Sequence, residues 1–359
     1  MNYRLATLLA HESIATAGTK TLDITLKDLI SRINVQVKAT NNGSAPTAHP
    51  AAIISKIEIV DGSDVLFGLS GKELLACQYF GTRRTPLVIN NYLDDVMNVV
   101  NYEIYFGRYL YDPILALDPT KFTNPQVKIT HNLANGGSSP DAATLEVTAD
   151  IFDQKEASPA GFLMAKENVS YTLVASGNEY IDLPTDYTLR KLIIMSHADD
   201  KQPWEQYNEV KLSEDNDKRV PIDDKTSDLL KYFGAQWPPL REYIEGAALT
   251  TTRDFYVMST YEIQVVAMAM GFAAGYLSSD YCYGGNIDIR GSVAANFKAL
   301  VQGYAPFGAL CLPFGDQMNH EDWYSVADIG SLRLTLKAGS SPGSSSTCEV
   351  ITEQLRTYA

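Results

Sequence analysis

Apolar and polar residues alternate with a period of two along most of the chain. The segments TLDITLKD (21–28), RINVQVKAT (32–40), SKIEIVDG (55–62), PQVKITHN (125–132), ATLEVTADIF (143–152), EVKLSED (209–215), GNIDIRGS (285–292) and SLRLTLKAG (331–339) all follow it, bounded by Gly, Asn, Ser or Pro. That pattern predicts strands with one buried face. Helical spacing is clearest at GKELLACQYFG (71–81) and KTSDLLKYFGAQW (225–237). Many short strands with long turns predict β-sandwiches rather than a parallel α/β sheet.

The pattern also repeats. Ile54–Gly81 overlays Tyr207–Gly234 without gaps at an offset of 153 residues. Lys56-Ile-Glu-Ile falls on Glu209-Val-Lys-Leu, Asp64 on Asp217, Lys72 on Lys225, and Tyr79-Phe80-Gly81 on Tyr232-Phe233-Gly234. Further on, Val127-Lys-Ile-Thr, a turn at Ser138-Ser139-Pro140 and Thr144-Leu-Glu-Val match Leu332-Arg-Leu-Thr, Ser340-Ser341-Pro342 and Thr347-Cys-Glu-Val. Both read as hairpins. Each half thus runs strands, a short helix, more strands and a closing hairpin. The second half carries roughly 52 extra residues between helix and hairpin, within 235–330. Such an insertion belongs in a loop at one end of a sandwich. It holds Trp237, Tyr243, Phe255, Tyr256, Phe272, Tyr276, Tyr281 and Tyr283, so an ordered projection or interface segment is expected. The boundary is expected near residues 154–159, giving a first domain at 1–158 and a second at 159–359.

Composition narrows the function classes. The 359 residues suffice for about two domains, each with its own core. There are 29 basic and 43 acidic side chains, a net charge of −14. Phosphate binding rests on Lys and Arg, so direct nucleic-acid binding is not expected. Residues 1–160 carry 13 basic and 17 acidic groups, and the remainder 16 and 26, so the acidic excess lies in the second half. Cys77, Cys282, Cys311 and Cys348 form no C-x-x-C pair and read as buried thiols of a reducing compartment. The start, MNYRLATLLAHES, lacks the continuous apolar run of a signal peptide, so synthesis in the cytoplasm is expected. The most apolar stretch, 263–277, is shorter than the roughly 20 residues of a membrane span and reads as a buried strand and its flank.

Candidate chemistry is sparse. The chain has no H-E-x-x-H, no Gly-x-Ser-x-Gly elbow and no phosphate-binding glycine loop. His197-Ala-Asp-Asp200, Asn319-His-Glu-Asp322 and Asp215-Asn-Asp217 are the densest clusters of possible metal ligands, and none has standard spacing. No catalytic residue, cofactor or metal is expected. The sequons at Asn42 and Asn168 matter only for a secreted protein. Tyr3, Arg4, Leu5, Leu8 and Leu9 could form one or two amphipathic turns, an N-terminal arm packed on its own domain or touching a neighbour or a membrane.

A duplicated all-β chain with a short helix in each half, a larger insertion in the second half and no catalytic motif resembles the double jelly-roll major capsid proteins of tailless icosahedral, lipid-containing viruses and bacteriophages. The stretches closest to them are Phe106-Gly-Arg-Tyr-Leu-Tyr-Asp-Pro113, Phe122-Thr-Asn-Pro-Gln-Val-Lys-Ile-Thr130 and Lys218-Arg-Val-Pro-Ile-Asp223. The resemblance implies two tandem eight-stranded jelly-roll β-sandwiches standing upright in an icosahedral shell. It implies a homotrimer with pseudo-sixfold symmetry, neighbouring capsomers, penton and minor capsid proteins as partners, and a tower built from the insertion. Proteins of that kind often enclose an internal membrane, which the N-terminal arm could face. The resemblance places the protein in the virion capsid. The N-terminus is not strongly basic, which speaks against electrostatic membrane binding. The competing expectation is a two-domain β-sandwich carbohydrate-binding protein or glycan hydrolase, with carboxylates facing across a cleft.

Overall fold

A computed structural model of the chain describes residues 2–42, 46–137, 140, 142–251, 253–269, 277–278, 282–291, 294–344 and 346–358. The first half holds β1 (Tyr3–Ile14), β2 (Ala17–Asp23), β3 (Ile30–Thr40), β4 (Ile54–Asp61), β5 (Asp64–Leu69), α1 (Gly71–Thr82), β6 (Val88–Asn91), β7 (Met97–Tyr105), β8 (Pro125–Asn132) and β9 (Ala142–Phe152). Two sheet segments, β1-β9-β3-β7 and β2-β8-β4-β5, face each other as an eight-stranded jelly roll.

The second half repeats that plan. It runs β10 (Gly161–Thr172), β11 (Asn178–Leu183), β12 (Thr188–Met195), α2 (Pro203–Gln206), β13 (Tyr207–Glu214), β14 (Arg219–Lys225) and α3 (Thr226–Gly234). After the insertion come β23 (Leu310–Pro313), β24 (Leu332–Ala338) and β25 (Thr347–Thr357), counted past the eight insertion strands. Its two sheets are β10-β25-β12-β23 and β11-β24-β13-β14, in the same order as the first roll. The insertion holds β15 (Leu240–Ala248), β16 (Asp254–Tyr256), β17 (Ser259–Ala269), β18 (Leu277–Ser278), β19 (Cys282–Tyr283), β20 (Asn286–Asp288), β21 (Arg290–Gly291) and β22 (Ala295–Pro306).

Two parallel joints weld the rolls. β5 meets β10 at Gly68 and Lys166, which runs one sheet of the first roll into one sheet of the second. β6 meets β15 at Asn90–Ile244 and Asn91–Glu245, which runs the other sheet of the first roll into β15-β22-β17. The insertion therefore leaves the second roll and extends the first. Its small sheet β16-β20-β19 packs beside it around Phe255, Ile287 and Phe297.

Local sequence explains the elements. In β3, Ile33, Val35, Val37 and Ala39 are buried between the sheets, while Arg32, Asn34, Gln36 and Lys38 face outward. Each such Ile or Val contributes about 1.5–3 kcal/mol by leaving water. α1 starts at a capping box, in which Ser70 Oγ accepts from the Glu73 amide and the Glu73 carboxylate accepts from the Ser70 amide.

Several expectations are corrected. The alternation at 21–28 outlasts β2, which ends at Asp23, because the chain there crosses between the two sheets of the roll. Ile24 and Leu26 keep their apolar contacts through the crossing without strand pairing. The segment 285–292 splits into β20 and β21, which pair with different partners. Residues 3–9 form no amphipathic turns; they lie in the extended strand β1, paired to β9 from Tyr3–Phe152 onward. The stretch 263–269 is not a buried strand. It lies in β17 at the end of its sheet, with only one face covered, so Val266 and Met268 are 72% and 68% exposed. Residues 270–276 of that stretch, with Phe272 and Tyr276, lie outside the described residues, as do Tyr281, Ser138 and Ser139.

Candidate assembly surfaces

The face between the two rolls is closed by α1 and a buried charge cluster. Lys191 and Arg190 of β12 both donate to Glu353 Oε1 of β25, at 2.9 and 2.8 Å. Burial alone would raise the Glu353 carboxyl, but Lys191 and Arg190 outweigh it and hold it below its ordinary value. Arg190 also stacks over Trp323, 5.2 Å from the ring centre. At the margin of the joint, Arg356 of β25 forks onto Asp64 at the start of β5, at 3.1 and 2.5 Å. Its hydrogen bonds hold the Asp64 carboxyl below the usual range. Arg108 adds a bond to the Met318 carbonyl across the same boundary, at 2.6 Å.

α1 itself is buried almost throughout. Tyr79 donates to the Pro238 carbonyl at 2.6 Å, and Trp237 donates to the Phe80 carbonyl at 3.1 Å and packs edge-on against the Phe80 ring. The chain leaving α3 thus covers α1. Glu73 is 1% exposed, and burial pushes its carboxyl up to about 7 against the opposing Ser70 hydrogen bonds.

The insertion is locked to the first roll by a second polar cluster. His49 Nδ1 accepts from the Ala51 amide, so its Nε2–H donates to Glu242 Oε1 at 2.9 Å. Asn90 donates to the same oxygen, and the Met258 amide to Oε2. Glu242 is 3% exposed and fully engaged, as a buried carboxylate must be.

A cleft of about 480 Å³ opens at this end of the molecule between Thr47, Lys72, His197, Asp199 and Ser346. Lys72 Nζ lies 3.3 Å from His197 Nδ1. Burial, then the Lys72 charge, pushes His197 well below its ordinary value, so the ring beside the lysine is neutral. The loop clusters singled out by sequence are accounted for by local bonds. Asp199 lies 3.9 Å from His197 and is half exposed, Asp217 pairs with Lys211, and Asn319 caps a short turn at His320–Asp322. Among the described residues no group of three or more His, Cys, Asp or Glu is placed to hold a metal. Cys77, Cys311 and Cys348 are buried free thiols, pushed up by burial.

The N-terminal residues form one border of a sheet. Tyr3 stacks on Tyr111 at 3.9 Å, Arg4 pairs with Asp153 and Asp28, and Leu8 and Leu9 pack partly on the core. Leu5 points to solvent at 59% exposure. The same sheet changes character along its outer face. Over β9 and β3 that face is polar, with Glu146, Asp150, Arg32 and Lys38. Over β6, β15 and β17 it carries Ile89, Tyr243, Val266 and Met268, all half or more exposed.

No family model and no curated protein matches the chain. Solved structures do. The STIV MCP, from Sulfolobus turreted icosahedral virus, aligns over 99% of this chain and 97% of its own at 11% identity and a TM-score of 0.61. The major capsid protein of bacteriophage PM2 aligns over 99% and 98% at 11% identity and a TM-score of 0.56. The PBCV-1 virus capsid model aligns over 99% and 94% at 11% identity and a TM-score of 0.56. The chain has the double jelly-roll fold. Both rolls and the helix of each are covered by that match from end to end, so the double jelly roll accounts for the whole chain and not for one half of it.

The sequence did not point to Glu353, Arg190, Lys191 or Glu242. Each sits on a strand at a position whose alternation marks no special role. The burial of a charge there comes from a second roll or an insertion arriving from far along the chain. The one available signal was the adjacent Arg190-Lys191 pair inside the otherwise apolar run TLRKLIIM (188–195).

Proposed function

We propose that this protein is a major capsid protein, a structural subunit that tiles an icosahedral virion shell. The observation that carries the reading is the tandem pair of rolls with identical strand order, matched over its full length by capsid proteins. Three chains with two rolls each give six similar lobes, so a trimer presents a pseudo-hexagonal outline that packs in a shell with its neighbours. The units of that outline are the rolls at 1–158 and 159–359. Neighbouring capsomers, penton and minor capsid proteins are the partners, and the chain is made in the host cytoplasm. The border at Tyr3, Arg4, Leu5, Leu8 and Leu9 serves as a contact to a neighbour. The role is structural and involves no catalysis. The carbohydrate-binding or hydrolase alternative is not favoured, since the solved relatives in fold are capsid proteins.

Light scattering on size-exclusion fractions, with negative-stain images of each peak, tests this. A species at three times 39.5 kDa with a six-lobed outline supports it. A monomer at every concentration overturns it.

A further inference from the structure

The molecule contains its own template for how a second copy attaches. In the jelly-roll order, β5 is the strand before the helix in the first roll and β14 is its counterpart in the second. β5 is covered on its outer side by β10, the first strand of the second roll. β14 ends its sheet, and no described residue pairs with its outer edge. The counterpart of β10 is β1, which likewise ends its sheet with one edge unpaired. The molecule therefore shows one joint made internally and both halves of a second, identical joint left open.

The repeated tyrosine gives an independent observation. Tyr79 of α1 and Tyr232 of α3 align at the 153-residue offset. Tyr79 is 1% exposed, sealed by the chain that leaves α3 at Trp237 and Pro238. Tyr232 is 73% exposed. The segment equivalent to its missing cover is the chain that leaves α1, and there Leu87 is 58% exposed.

We infer that the β14–α3 side of one copy docks on the β1 border and the post-α1 segment of a second copy, repeating the internal β5–β10 joint. This rests on the capsid reading and names the surfaces that build its trimer. The contact is heterologous, so it closes into a ring only if the rotation matches. Three internal and three intermolecular joints of one geometry make a closed ring of six rolls. The matched strands locate the contact. β1 and β10 are both 12 residues and begin their registers at Tyr3–Phe152 and Gly161–Thr357. Lys166, which meets Gly68, therefore corresponds to Leu8–Leu9, and Gly68 corresponds to Pro221. Pro221 withholds a backbone donor, which blunts the β14 edge against indefinite strand addition.

The test uses the full chain. Tyr232→Cys with Leu87→Cys, both at exposed positions, is treated with a short bismaleimide, with each single variant as control for Cys282. Tyr232→Glu is sized by light scattering beside Tyr180→Glu, which is on the opposite edge strand of the same sheet, β11. Covalent products stopping at three chains, and loss of the trimer in Tyr232→Glu alone, are the expected results. A trimer that survives Tyr232→Glu and yields no cross-link overturns the joint and leaves the capsid reading standing. An unmodified chain that is monomeric overturns the capsid reading, and the joint with it.

Discussion

Tyr79 and Tyr232 occupy the same place in two copies of one pattern, and their surroundings are opposite. α1 is wedged between the rolls, starts at a full capping box and buries nine of its residues. α3 has no side-chain cap, buries Thr226, Leu229 and Leu230, and shows Tyr232 and Lys231 to solvent. The helical sequences already differ: where α1 has Leu74, Leu75 and Gln78, α3 has Ser227, Asp228 and Lys231, so α1 is apolar on more than one side and α3 on one face only. That difference matches what lies beyond the helix: for α1 it is the second roll of the same chain, and for α3 it is solvent. A repeat whose second copy is exposed where the first is covered exposes the site at which the repeat continues in another molecule.

That contrast can be broken in order of expected size. Tyr79→Ala should cost about 3–5 kcal/mol of unfolding free energy, since a large buried ring is lost and a cavity remains. Tyr232→Ala should fall within about 0.5 kcal/mol in the isolated chain. Urea titration of both variants measures the pair, and equal losses would erase the comparison.

Glu353→Leu should cost about 3–5 kcal/mol, because Lys191 and Arg190 lose the carboxylate that compensates their burial. The same titration would show it, and a loss under 1 kcal/mol would mean water reaches the cluster. Glu73 gives a pH signature. Its folded-state value of about 7 lies above the ordinary 4.5, so the stability it supports is complete below pH 4.5 and is lost as pH rises through 7. That loss is on the order of 3 kcal/mol. Thermal melts of Glu73→Gln from pH 5 to 8 should show a flatter profile than the parent chain. Ser70→Ala should cost about 1 kcal/mol through the lost cap, whereas α3 has no side-chain cap to lose.

Much of the fold was legible because alternation is a local property. The strands at 32–40 and 125–132 were readable from their own residues, and the repeat of Tyr-Phe-Gly placed both helices. What covers a strand was not legible. Residues 263–269 are apolar apart from Gln264, so no local signal says that Val266 and Met268 would face solvent. The β6–β15 joint brings Asn90 to Ile244, and neither neighbourhood carries a mark of the other. The spacing of Tyr3, Leu5, Leu8 and Leu9 also fits one or two amphipathic turns. The pairing with β9 overrides that spacing, and a bulge between Thr7 and Leu9 absorbs the extra residue. The buried charges at Glu353 and Glu242 depend on contacts between distant segments and left no trace in composition.

The most direct measurement is the absolute mass of the purified native chain across a dilution series, by light scattering on size-exclusion fractions. The account predicts a stable species at three times 39.5 kDa, alone or within larger shells. A monodisperse 39.5 kDa particle at high concentration would contradict it.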